Sequence, residues 1–135
     1  NLDGKPATIE KYIHTDNWTV VMLWASYCHV CNAESASYVD FYQRNKDAGV
    51  QVLGISLDGV DNRGDAQAFV ERNGVTFPNL LIDSVAGADF YTSQTGEAWI
   101  GTPTFMIYGP SGVLKAAQVG AVPPKIIEDY ISSNR

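Results

Sequence analysis

Apolar positions along the chain fall into two rhythms. Thr19 to Trp24 (TVVMLW) is a continuous, largely β-branched run, the pattern of a strand buried on both faces. After it the spacing changes: Cys31, Glu34, Tyr38, Phe41 and Asn45 recur three and four apart, which predicts one face of a helix ending near Gly49. VQVLGISL at 50–57 predicts a second strand. A helix from about Asp65, with Phe69 and Val70 inward, stops at Asn73-Gly74. FPNLLID at 77–83 reads as a short strand and Ala86 to Tyr91 as a short helix. TFMIYGPSGVLKAAQVG reads as two strands joined at GPSG, a hairpin. The last helix carries Pro123 and Pro124 in its first turn and is expected to bury Ile126, Ile127, Tyr130 and Ile131.

Strand and helix alternate early, so the first strands are expected to be parallel, with the hairpin adding an antiparallel edge. The predicted fold class is α/β: a central mixed sheet with helices on both faces, in one domain over residues 1–135. Neither a repeat nor a low-complexity tract interrupts it.

Composition narrows the function. A chain of 135 residues, 45% hydrophobic, can bury a sizeable core without a disulfide staple. A formal net charge of -6 argues against nucleic acid or an anionic lipid surface as partner. No apolar run approaches the roughly 18 residues of a membrane span.

The chemistry concentrates in WASYCHVCNAE, where both cysteines stand at the junction of a strand and a helix. There Cys28 lies near unpaired N–H groups at the positive end of the helix dipole, which favours thiolate and makes it the better nucleophile. Cys31, one turn on, faces the protein and is within reach to resolve a mixed disulfide. A zinc site is disfavoured because only His14 and His29 join the two cysteines. A structural disulfide remains an alternative, although so short a loop constrains the unfolded chain little.

VVMLWASYCHVCNAE, VQVLGISLDG and GTPTFMIYGPSGVLK, in that order, resemble the TlpA/ResA-like branch of the thioredoxin superfamily, AhpC/TSA-Redoxin-like in kind: extracytoplasmic thiol–disulfide oxidoreductases of bacteria. The resemblance implies a thioredoxin fold with an N-terminal extension and a central insertion. It implies that Pro103 is a cis-proline facing the cysteines and that the Thr102 backbone offers hydrogen bonds to an extended client. Glu34 matches the acidic residue of the C-x-x-C-x-x-E pattern, where a desolvated carboxyl would pass protons to or from a cysteine. The alternative is a Glu that only complements the helix dipole.

Met22 stands where thioredoxins keep a buried Asp, which increases the burden on Glu34. His29 is either a tuner of Cys28 or a solvated side chain. Tyr27 replaces a usual Trp and Ala36 a frequent Pro, so both bear on the client surface and on redox tuning. Trp24 is expected in the core, Trp18 and Trp99 along a surface or cleft. The segment 91–101 is longer than usual, and Glu97 and Trp99 are at most client contacts.

The implied partners are protein clients with disulfides or thiols and a membrane electron-transfer protein. No cofactor or metal is required, and the chain is expected to act as a monomer. The implied place is periplasmic or otherwise extracytoplasmic, with any anchor outside these residues. A peroxide reductase would want Thr, not Ala25, three residues before its cysteine. A non-catalytic peptide-binding module is the other alternative.

Overall fold

Seven consecutive buried residues make β1 (Trp18–Trp24) the middle of the molecule in a computed structural model that describes residues 2–135. The other strands are β2 (Val50–Ser56), β3 (Asn79–Leu81), β4 (Thr104–Tyr108) and β5 (Leu114–Val119). The sheet order is β3-β2-β1-β4-β5. β1, β2 and β3 run parallel, while β4 is antiparallel to both β1 and β5. The mixed sheet and the hairpin edge follow the alternation pattern read from the sequence.

Helices α1 (Glu10–Ile13), α2 (His29–Asn45), α3 (Arg63–Arg72), α4 (Ser84–Thr95) and α5 (Pro124–Asn134) cover the two faces. The pleat of β1 divides the core between them. Trp18, Val20, Met22 and Trp24 point to one face with Cys31, Tyr38 and Phe41 of α2, Phe69 of α3 and Ile127 and Ile131 of α5. Val21 and Leu23 point to the other with Ile13 of α1, Tyr91 of α4, Leu53, Ile55 and Met106. Met22, 1% exposed, is core packing.

Some elements differ from expectation. α1 carries too short an apolar pattern to have been read. α3 begins two residues early, and β3 is shorter because Phe77 and Pro78 precede it and the Pro78 carbonyl accepts the Gly54 N–H at 2.9 Å. α4 runs well past Ala86–Tyr91: the Asp83 carboxylate accepts the Ala86 N–H at 2.7 Å, and Gly96 (φ 77) ends the helix in the left-handed region. The first part of the expected insertion, 91–95, is therefore helix, and the rest is not. Trp18 is core rather than surface. Ile126 is 58% exposed, because the inward stripe of α5 is Ile127 and Ile131, four apart.

Candidate active site

The end of β1 and the start of α2 place the two cysteines. Cys28 is the N-cap of α2, and its Sγ accepts the Cys31 N–H at 3.2 Å, so the sulfur satisfies one of the open donors of the first helical turn. The Cys28 N–H donates to the Ala25 carbonyl at 3.0 Å, which closes the turn between strand and helix. Both thiols are free, Cys28 half-buried and Cys31 fully buried. Burial pushes the Cys31 thiol up to about 12, assisted by its hydrogen bond and charge interaction with Cys28. One sulfur is therefore reachable from solvent, and the other keeps its proton behind it.

Across from the pair, Thr102–Pro103 is a cis peptide bond. The Cys28 thiol donates to the Thr102 carbonyl at 3.6 Å, and the Pro103 carbonyl is held by the Gly120 N–H at 2.8 Å. The Thr102 carbonyl thus meets Cys28, one turn ahead of Cys31, and the cis Pro103 follows it directly. Tyr27 is 80% exposed and His29 is exposed, so both border the site in open solvent.

Glu34 is half-buried rather than turned fully inward. The inner face of α2 is Cys31, Ser35, Tyr38 and Phe41, which leaves Glu34 on its flank. Tyr38 donates its hydroxyl to the Val122 carbonyl at 2.5 Å and stacks on Phe105. Burial raises the Tyr38 hydroxyl, and the Glu34 charge raises it further.

Trp99 is half-buried, and its Nε1 donates to Thr104 Oγ1 at 3.1 Å, while that hydroxyl donates to the Gly101 carbonyl. The two bonds brace the segment leading into Pro103. Trp24 is core, stacked on Phe69 with ring centroids 3.9 Å apart, its Nε1 donating to Asn79 Oδ1 at 2.9 Å.

The sequence reading missed the residues that support the turn. Asp58 accepts from Ser26, and Asn32 donates to the carbonyls of Ser26 and Cys28. A polar cleft of about 550 Å³ opens beside the turn, lined by Ser26, Tyr27, Asp58, Asp65 and Arg72 among others. One signal was available: an Asp directly after a buried strand, two residues past a Ser, in ISLDG.

A mixed sheet of this order, a C-x-x-C at the N-terminus of the helix after β1 and a cis-proline opposite it define a thioredoxin fold. The chain belongs to the AhpC/TSA family, whose model matches residues 1–117. It is 29% identical over 109 residues to the thiol-disulfide oxidoreductase ResA of Oceanobacillus iheyensis, a match covering 81% of this chain and 53% of that protein. The chain therefore spans about half the length of that curated relative.

Among solved structures it is similar to a secreted Mycobacterium tuberculosis disulfide oxidoreductase homologous to DsbE of E. coli, with TM-score 0.75, 21% identity and coverage of 98% and 91% of the two chains. It is also similar to a thioredoxin-family thiol:disulfide interchange protein of Chlorobium tepidum, with TM-score 0.79, 17% identity and coverage of 98% and 88%. StoA of Bacillus subtilis follows at TM-score 0.70 and 19% identity, over 87% and 84%. At these identities the structures establish the fold. Among the described residues, no helix is long and apolar enough to cross a membrane.

Proposed function

We propose that this chain is a thiol–disulfide oxidoreductase that reduces disulfides of protein clients outside the cytoplasm, and is itself kept reduced by a membrane electron-transfer protein. The observation that carries the reading is the division of the pair: a half-exposed Cys28 sulfur facing the Thr102 carbonyl, with a buried, protonated Cys31 one turn behind it.

The exchange runs in two steps. The Cys28 thiolate attacks a client sulfur, an S–S bond forms between them, and the other client sulfur leaves and takes up a proton. Cys31 then gives up its proton and attacks Cys28. The Cys28–Cys31 disulfide closes and the client departs as a dithiol, reduced by two electrons. The second step requires a base for the Cys31 proton, and Glu34, half-buried and one turn further along α2, is the carboxylate proposed for it. Thr102 and Pro103 dock the client as an added strand. Tyr27 and His29, exposed beside Cys28, meet the client residues flanking its cystine. Buried Ala25 offers no hydroxyl to a peroxide, which favours a disulfide substrate.

Secretion of the M. tuberculosis neighbour supports the extracytoplasmic assignment. Reduction of insulin disulfides in the presence of dithiothreitol tests the mechanism. Cys28→Ala should abolish turnover, and Cys31→Ser should accumulate a mixed disulfide visible on non-reducing gels. Normal turnover by Cys28→Ala would sink it.

A further inference from the structure

The turn that delivers Cys28 is gripped from two sides. Asp58, just beyond β2, is 9% exposed, and both its oxygens are engaged. Oδ1 accepts the Ser26 N–H at 3.0 Å and the Ser26 hydroxyl at 2.8 Å, while Oδ2 accepts the Ser56 hydroxyl at 2.6 Å. On the other side, Asn32 Nδ2 donates to the Ser26 carbonyl at 3.1 Å and to the Cys28 carbonyl at 2.9 Å. Asn32 is fixed in turn through Oδ1, which accepts from Arg72 at 2.8 Å and Asn73 at 3.0 Å. The N–H, hydroxyl and carbonyl of Ser26 are thus all held, two residues before the reactive sulfur.

Electrostatics alone argues against a carboxylate here. An anion beside a nucleophile that must itself become an anion opposes it. Its benefit is therefore geometric: a carboxylate takes an N–H and two hydroxyls at once, ties the end of β2 to the end of β1, and needs no water to do so.

We propose that Asp58 is a positioning residue for the exchange reaction: by gripping Ser26 it places the Cys28 sulfur to receive the Cys31 N–H, and so favours the reactive anion. This rests on the pair being an exchange centre, but its test needs no client. The wild type, D58A and D58N are equilibrated in glutathione redox buffers, and the dithiol fraction is read by mass after acid quench and alkylation.

Losing the grip weakens a hydrogen bond to a charged sulfur, which destabilises the dithiol form. D58A should shift the equilibrium toward the disulfide by about tenfold, about 30 mV more negative for a two-electron couple. Iodoacetamide should alkylate its Cys28 more slowly by a similar factor. D58N keeps an oxygen for Ser26 while Ser56 turns to accept from the amide, so it should recover most of what D58A loses.

If Asp58 acted through its charge, both variants would become less negative in potential, and that result overturns the proposal. Equal potentials in all three proteins overturn it as well. Should D58A fail to fold, Ser26→Ala decides: it removes only the hydroxyl bond and should move the equilibrium about threefold in the same direction, and no movement refutes the role. Absence of insulin turnover in a wild type whose potential still responds to D58A would count against the proposed function and not against this inference.

Discussion

Burial raises the Cys31 thiol from an ordinary 9.0 to about 12, and the consequence at the scale of this residue is a dependence of stability on pH. Between those values the unfolded chain has lost the proton and the folded chain retains it. Stability is therefore fully present below pH 9 and declines as pH rises toward 12. The buried hydroxyls of Tyr38 and Tyr108 are raised by the same cause and add to the decline above their ordinary range. Urea midpoints should fall from pH 8 to pH 10, and fall less in the disulfide form, which has no Cys31 thiol to titrate; equal slopes in the two forms would contradict this origin. Cys28, Cys31 and Pro103 were legible because their spacing is local or their motif short. Asp58 and Asn32 were not, since Asp58 meets Ser26 across 32 positions and Asn32 meets Arg72 across 40.

Among the elements, β2 carries an unusual constraint at Gly54. A Cβ there would collide with Asn79 Oδ1 and come within 2.8 Å of Trp24 Nε1, the two atoms that hydrogen-bond across β2. Gly54→Ala should cost about 2 kcal/mol or more through overpacking and loss of that bond, measured by urea unfolding followed by tryptophan fluorescence. The cost should be smaller in an Asn79→Ala background, where the space opens; strict additivity would argue against the collision. The strands and the long helix α2 were readable because β1 is apolar throughout and α2 keeps its three-and-four spacing. α4 was underread because its apolar pattern is weak and its length is set by the Asp83 cap and Gly96. Ile126 was overread because two adjacent isoleucines cannot both lie on the narrow inward stripe of α5.

For the molecule as a whole, the alternating order of strands and helices was enough to anticipate the mixed α/β sheet, and the family resemblance carried by three separated motifs supplied the thioredoxin fold. The two-sided hold on Ser26 needed the assembled chain. If the protein is a reductant, as proposed, the reduction potential of its pair should lie near the thioredoxin figure of about -270 mV; a value up toward about -120 mV would make it a disulfide donor. The burial of Cys31 also governs how the molecule ages. A peroxide arriving from solution meets only Cys28 and converts it to a sulfenic acid. Cys31, one turn behind, can then condense with it, expelling water and closing the internal disulfide before further oxygen is added. In the proposed function that product is the pair's ordinary oxidised state, which a disulfide reductant reopens, so the inner sulfur is also a safeguard against irreversible wear.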